Sequence, residues 1–125
     1  MAKILYIEDI KDNITYVERV VESLGHEFIY AQSAEDGLEL ASTSNPDLIL
    51  LDLGLPDADG QTLSVWLKGE PSLSSIPIIV LTAWPEEVAR RTVSDYKLNG
   101  YLCKPFLMAE LVKKIDSVLG TTAAL

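Results

Sequence analysis

The chain has 125 residues, of which 48% are hydrophobic and 23% charged, and these proportions predict one globular domain with a substantial core. Its formal net charge of −9 argues against direct nucleic-acid binding, which requires a basic face. No apolar run reaches the roughly 18 residues of a membrane span, and the N-terminus does not resemble a secretory signal, so we expect a cytoplasmic protein without membrane association.

The first predicted strand is apolar, runs from Lys3 to Ile7, and ends at the adjacent carboxylates of Glu8 and Asp9. A helix follows it, because apolar residues then recur at helical spacing. We predict Asp12 or Asn13 as the N-cap of this helix.

Residues 27–31 predict a second strand. The helix after it is predicted to begin at Ser33, whose spacing to Asp36 resembles a capping box, and to end before Pro46.

The third predicted strand, Leu48 to Leu51, is uniformly apolar, which is typical of a strand buried on both faces of a parallel sheet. Asp52 stands at its carboxyl end, and a loop containing Gly54, Pro56 and Gly60 follows. Ligands of open α/β sheets gather at such strand ends, which favours a functional role for Asp52. The alternative is that Asp52 only caps the following turn.

Asp59 is the predicted cap of a third helix, which runs to Gly69 and is expected to bury Trp66 in the core. Residues 75–82 predict a fourth strand, which places the hydroxyl of Thr82 at its carboxyl end.

Pro85 is predicted to start a fourth helix that is weakly apolar for its length. A last strand from Tyr101 to Cys103 places Lys104 at its end, and an amphipathic helix covers residues 108–119. Residues 121–125 are expected to form a frayed tail.

The alternation of strands and helices predicts an α/β protein with a five-stranded parallel sheet and helices on both faces. The carboxyl ends of four strands then bring together three carboxylates, a hydroxyl and an ammonium, from Glu8, Asp9, Asp52, Thr82 and Lys104. Carboxylates in one cleft repel each other unless a cation lies among them, and oxygen ligands of this kind suit Mg²⁺. The residues therefore predict a Mg²⁺ site, at which an Asp oxygen is able to attack a phosphoryl group.

The distribution of charge agrees with a cation site. Residues 1–59 contain 13 acidic and three basic residues, whereas residues 60–125 contain six acidic and seven basic residues. The acidic part of the chain is able to hold a divalent cation or meet a basic partner, although a solvated surface accounts for most of these side chains. The single cysteine, Cys103, excludes an internal disulfide.

From Lys3 to about Leu119 the chain resembles the receiver domains of two-component response regulators. The order and spacing of four motifs carry the resemblance. They are Glu8-Asp9, Asp52 with Pro56 and Asp59-Gly60 in the pattern D-x-x-x-P-x-x-D-G, Thr82-Ala83, and Tyr101 with Lys104-Pro105-Phe106. The resemblance implies one receiver domain over residues 1–120, with a flavodoxin-like doubly wound (βα)5 fold and strand order 2-1-3-4-5.

The resemblance also implies a role for each residue of the site. Asp52 would be the phosphoacceptor, and Mg²⁺ would be held by Asp9, Asp52 and the backbone carbonyl of Gly54, with Glu8 acting mainly through water. Lys104 would contact the phosphoryl group.

The family's switch would involve Thr82 and Tyr101, and a cis peptide bond is implied between Lys104 and Pro105. The phosphodonor would be a sensor histidine kinase or a histidine phosphotransfer protein, and the output an unknown downstream protein. The resemblance implies phosphoryl acceptance and autodephosphorylation rather than turnover of external substrates, and it leaves homodimerisation on phosphorylation open.

Two positions depart from the family pattern. Lys97 stands where a Gly is usual before the last strand, and Trp84 is bulky for a position two residues after Thr82. We hypothesise that the indole restricts the water that would attack the phosphoryl group. The alternative is that Trp84 only covers apolar surface.

Other classes of protein fit less well. A phosphohydrolase of the haloacid dehalogenase type normally has a second Asp two residues after the first, and Gly54 occupies that place. Dinucleotide binding is excluded because no Gly-rich loop follows the first strand. A receiver fold used only as a phosphorylation-independent docking scaffold remains as the alternative, although such a scaffold would usually have lost site residues that are all present.

Overall fold

The structure is a computed structural model that describes residues 1–120; the tail predicted at residues 121–125 lies outside the described residues. Strands and helices alternate along the whole described chain. The strands are β1 (Lys3–Ile7), β2 (Glu27–Ala31), β3 (Leu48–Leu51), β4 (Ile78–Thr82) and β5 (Gly100–Cys103). The helices are α1 (Lys11–Ser23), α2 (Ala34–Ser44), α3 (Gly60–Gly69), α4 (Glu86–Tyr96) and α5 (Met108–Leu119).

All five strands are parallel and lie in the order β2-β1-β3-β4-β5, which confirms the predicted doubly wound, flavodoxin-like fold. The register aligns the carboxyl ends of the strands. Ile7 pairs with Leu51, and Thr82 pairs with Cys103. The residues that follow these pairs therefore emerge side by side at one edge of the sheet.

Each face of the sheet carries one layer of helices. Helices α1 and α5 cover one face, and their buried side chains include Val17, Val21, Leu111 and Ile115. Helices α2, α3 and α4 cover the other face. Each fully buried Leu, Ile or Val side chain contributes about 1.5–3 kcal/mol relative to exposure, so the two layers supply the main stabilisation of the sheet. None of the helices in residues 1–120 is long and apolar enough to cross a bilayer.

Two predicted helix caps are confirmed. The hydroxyl oxygen of Ser33 accepts a hydrogen bond from the backbone N–H of Asp36 at 3.1 Å, and Asp59 accepts one from the N–H of Thr62 at 2.7 Å. Each cap satisfies one of the N–H groups that lack a partner in the first turn of a helix.

The predicted cap of the first helix is wrong. Ile10 is the N-cap of α1, and Asp12 and Asn13 lie inside the first turn. The N–H of Ile10 instead donates to the Glu8 carboxylate at 3.2 Å. This carboxylate comes from the end of β1, so the helix start is held by a residue that belongs to the sheet edge.

Two other predictions are corrected. Trp66 is 45% exposed rather than buried, because Leu63 and Leu67 already occupy the face of α3 that packs on the sheet. The fourth strand begins at Ile78 rather than Ser75, because the segment before it forms turns in which the N–H of Ile76 donates to the carbonyl of Leu73.

Lys97 ends α4 in a left-handed conformation with φ of 56°. This conformation brings Cβ too close to the following carbonyl oxygen, which costs residues other than Gly about 1–2 kcal/mol. Gly also makes the unfolded chain more flexible, which offsets part of this gain. We therefore expect Lys97→Gly to raise the free energy of unfolding by about 0.5–1 kcal/mol. Urea denaturation at neutral pH measures this change.

Lys97→Ala is the matched control, because it removes the same charge and keeps the strained Cβ. If the Ala variant gained as much stability as the Gly variant, backbone strain at this position would not be the cause.

Candidate functional site

Polar side chains converge at the carboxyl edge of the sheet. Glu8 follows β1, Asp52 follows β3, Thr82 ends β4 and Lys104 follows β5. Backbone hydrogen bonds fix these positions: the N–H of Asp52 donates to the carbonyl of Ile7 at 3.1 Å, and that of Lys104 to the carbonyl of Thr82 at 2.8 Å. Glu8 and Thr82 are fully buried and Asp52 is 6% exposed.

Three carboxylates form the centre of the site. Glu8, Asp9 and Asp52 each offer an oxygen atom, and these atoms all lie within 4.8 Å of one another. Glu8 and Asp52 are buried and Asp9 is half-buried. Carboxylates at this spacing repel each other, and hard cations such as Mg²⁺ take oxygen ligands of this type. The donor set therefore fits a divalent cation.

The protonation of Asp52 reflects this crowding. Its pKa is raised above the ordinary value, first because the group is buried and also because the Glu8 charge repels it. The positive charge of Lys104 opposes these effects, as do hydrogen bonds from the Gly54 backbone and the Thr82 side chain. A cation in the site would favour the ionised form in the same way as Lys104.

Glu8 is the most fully bonded acid of the site. One of its oxygens accepts from the hydroxyl of Tyr6 at 2.9 Å and from the side chain of Asn13 at 3.2 Å, and the same oxygen pairs with the Lys104 ammonium. Burial alone would raise the pKa of Glu8, but the hydrogen bond and the charge of Lys104 lower it below the ordinary value. Burial, followed by the Glu8 charge, raises the pKa of Tyr6, so the phenol keeps its proton and remains a donor.

Lys104 lies between two of the carboxylates. Its ammonium contacts Glu8 directly and lies 3.9 Å from an Asp52 oxygen. The peptide bond between Lys104 and Pro105 is cis, as the resemblance to receiver domains implied. The ammonium is thus able to compensate the charge on either acid.

The two residues predicted to switch occupy different surroundings. Thr82 is buried beside Asp52, and its hydroxyl oxygen accepts a hydrogen bond from the backbone N–H of Trp84 at 3.1 Å. Tyr101 is half-buried at the rim, and its hydroxyl donates to a carboxylate oxygen of Glu86 on α4 at 2.9 Å. The structure therefore places Thr82 in the site and anchors Tyr101 to α4.

Trp84 lies against the loop that follows Asp52. A Cβ placed on Gly54 would stand 3.2 Å from the indole nitrogen of Trp84. The indole therefore occupies the space into which a side chain at position 54 would extend. The Gly54 backbone donates a hydrogen bond to the Asp52 carboxylate, so the indole lies against a residue that contacts the site.

Asp57 lies in the loop after β3 and contacts a helix that precedes this strand in the chain. Its carboxylate accepts hydrogen bonds from the backbone N–H groups of Ala34 at 2.7 Å and Glu35 at 3.0 Å. These bonds lower the pKa of Asp57 and cap the start of α2 from the loop after β3. No local sequence pattern predicts these contacts, because Ala34 and Glu35 lie 23 and 22 residues from Asp57 in the chain.

Comparisons with known proteins agree on one family. A family model described as the response regulator receiver domain matches residues 4–116. The polar-differentiation response regulator DivK of Brucella ovis is 31% identical over 117 residues, which cover 94% of this chain and 95% of DivK.

Solved structures agree with this match. The receiver domain of a sensor histidine kinase from Pseudomonas aeruginosa, which has a magnesium ion coordinated in its active-site cleft, is 30% identical with a TM-score of 0.87 and coverage of 96% and 98% of the two chains. The phosphorylated cyanobacterial phytochrome response regulator RcpA is 29% identical with a TM-score of 0.81, and the match covers 99% of this chain and 97% of that one.

Proposed function

Because this chain belongs to the response regulator receiver family, we propose that Asp52 accepts a phosphoryl group from a phosphohistidine in a Mg²⁺-dependent reaction. Members of the family are signalling proteins rather than turnover enzymes. The observation that carries the proposal is the burial of Asp52 among two further carboxylates, with an ammonium 3.9 Å away.

The residues of the site divide the work of phosphoryl transfer. An oxygen of Asp52 attacks the phosphorus atom, a P–O bond forms, and the P–N bond to the histidine breaks. Lys104 moves its charge from Glu8 toward the phosphoryl oxygens. Mg²⁺, when bound by Asp9, Asp52 and the carbonyl of Gly54, would offset the negative charge of the transferred group. Glu8 already accepts several hydrogen bonds, which suits a ligand that acts through water.

The proposed switch is a population shift between two positions of Thr82 and Tyr101. In the structure, the Thr82 hydroxyl oxygen is bonded to the N–H of Trp84, and the Tyr101 hydroxyl to Glu86. Each such bond is worth about 1 kcal/mol, so a phosphoryl group that hydrogen-bonds Thr82 is sufficient to favour the alternative positions. The face formed by α4, β5 and α5 would then change and contact a downstream protein.

We place the protein in the cytoplasm as the phosphoacceptor of a sensor histidine kinase or a histidine phosphotransfer protein. The Brucella relative is itself named a response regulator, and the Pseudomonas neighbour is the receiver domain of a sensor histidine kinase. We propose that residues 1–120 act as one receiver domain and that hydrolysis of the aspartyl phosphate resets it.

Phosphoryl incorporation tests the proposal. The purified chain is incubated with acetyl phosphate and either Mg²⁺ or EDTA, and its intact mass is measured. One added phosphoryl group with Mg²⁺ and none with EDTA is the expected result. If no group is added and Mg²⁺ binding is also undetectable by tryptophan fluorescence, the chain acts as a phosphorylation-independent docking scaffold instead.

Trp84→Ala is expected to shorten the lifetime of the phosphorylated protein. The indole covers Gly54 beside Asp52 and restricts the approach of water, so its removal should speed dephosphorylation about fivefold, on the order of 1 kcal/mol in the barrier. The half-life is measured by intact mass after the phosphodonor is removed. Trp66→Ala is the matched control, because Trp66 is exposed on α3. Equal half-lives in the two variants would mean that Trp84 does not restrict water and only covers apolar surface.

A further inference from the structure

A long segment of the chain carries no positive side chain. Between Arg19 and Lys68 there are nine acidic residues and no Lys or Arg. This segment includes β2, α2, β3 and most of α3. The surface of α2 is therefore acidic, and the first turns of α3 beside it add no positive charge, which is unusual for a solvated surface with interspersed charges.

An apolar groove of about 620 Å³ lies within this acidic surface. It is lined by Leu38 on α2, Trp66 on α3, and the acids Glu35 and Asp57. Trp66 is 45% exposed. A large apolar side chain that remains in contact with water beside a groove is typical of an interaction surface.

The acids around this groove differ in their availability. Asp57 is already engaged by the amides of Ala34 and Glu35. Glu35, Asp36 and Glu39 all lie on α2, and no ion pair within residues 1–120 involves their carboxylates. Glu35 lines the groove itself. It therefore offers an uncompensated negative charge close to the exposed indole of Trp66.

We propose that the groove formed by Glu35, Leu38, Asp57 and Trp66 docks a basic segment of a partner protein. An arginine of that segment lies over the Trp66 indole and pairs with Glu35, and a neighbouring apolar side chain packs on Leu38. The argument is charge complementarity, because a guanidinium combines the flat face that stacks on an indole with the charge that a carboxylate pairs with. This surface is separate from the face of α4, β5 and α5, and the proposal does not depend on phosphorylation of Asp52.

A short peptide with alternating Arg and Leu, blocked at both ends, serves as the probe. In a Trp84→Phe variant Trp66 is the only tryptophan, so its fluorescence reports directly on the groove. We expect a saturable change on titration with this peptide and none with a peptide that carries Glu in place of Arg. Absence of saturable binding overturns the proposal.

Variants locate the site. Affinities are measured by fluorescence anisotropy of the labelled peptide in the otherwise unchanged chain. We expect Trp66→Ala to weaken binding about tenfold and Glu35→Gln about threefold. Glu22→Gln is the matched control, because it makes the same change of charge on α1, which covers the other face of the sheet. If it weakens binding as much as Glu35→Gln, or if Trp66→Ala binds like the parent, the attraction is non-specific and the proposal is wrong.

Discussion

Asp52→Asn is expected to abolish phosphoryl incorporation altogether. A carboxamide is not a nucleophile toward phosphorus under these conditions. Glu8 is also buried beside Lys104, but its carboxylate already accepts hydrogen bonds from Tyr6, Asn13 and the N–H of Ile10. With acetyl phosphate and Mg²⁺, intact mass should show one added group on the parent chain and none on the variant. Full incorporation into the variant would place the phosphoacceptor elsewhere.

The variant is expected to remain folded, so that its inactivity is informative. The pKa of Asp52 is raised from an ordinary value of 3.8 by burial and by the Glu8 charge. The folded state therefore binds the proton more tightly than the unfolded state, and the contribution of Asp52 to stability falls as the pH rises through the raised pKa. Asn is neutral at every pH, so Asp52→Asn should unfold at a higher urea concentration than the parent at neutral pH without metal.

Asp59→Asn is the matched control for this experiment. Asp59 lies in the same loop, and its contact is the cap of α3, a role that Asn fills equally well. It should be phosphorylated like the parent. Loss of incorporation in this variant would mean that any change in the loop disables the site.

Lys104→Met is expected to lower the free energy of unfolding by about 3 kcal/mol at neutral pH without metal. Glu8 is fully buried, and the ammonium is the only positive side chain that pairs with it in residues 1–120. Removing that charge leaves a buried carboxylate supported only by neutral donors, namely Tyr6, Asn13 and the N–H of Ile10. Urea denaturation measures the loss.

The double variant Glu8→Gln/Lys104→Met separates pairing from packing. With both charges of the pair removed, no unpaired charge is left at position 8, and most of the lost stability should return. If the double variant is as unstable as Lys104→Met alone, the loss reflects packing around the lysine stem instead.

The dependence of stability on pH gives a further check of the same pair. In the parent, the pKa of Glu8 is lowered from an ordinary 4.5, so its stabilisation is present above that pH and is lost as the pH falls through the lowered pKa. In Lys104→Met, burial should raise the pKa of Glu8 above 4.5. Its contribution to stability then falls as the pH rises through the raised pKa, which is the opposite slope. The double variant should lack both effects.

Much of the fold follows from local patterns in the chain. Runs such as Leu48 to Leu51 are too uniformly apolar for a half-exposed strand. Because these runs alternate with helices, they predict a parallel sheet that is covered on both faces. The parallel register then brings the residues after each strand to one edge, which is why the sequence predicts that Glu8, Asp52 and Lys104 lie together.

The parts that escaped prediction depend on contacts between distant residues. Asp12 and Asn13 have the chemistry of a cap, yet the helix start is held by Glu8, which the sheet places there. Trp66 has helical spacing with core residues, but Leu63 and Leu67 form the buried face of α3, and Trp66 lies beyond the edge of that face. Periodicity identifies a helix without stating how wide its buried face is.

The loop from Asp52 to Gly60 is held by contacts at several points, and these contacts restrict changes in its length. The N–H of Gly60 donates to the carbonyl of Leu53 at 2.9 Å, and a Cβ on Gly60 would stand 2.5 Å from the carbonyl oxygen of Asp52. Asp57, between these points, holds the first turn of α2. Surface loops rich in Gly and Pro usually tolerate insertions and deletions. Here a single added or deleted residue would uncap a helix that lies earlier in the chain, so the length of this loop is constrained as tightly as the core.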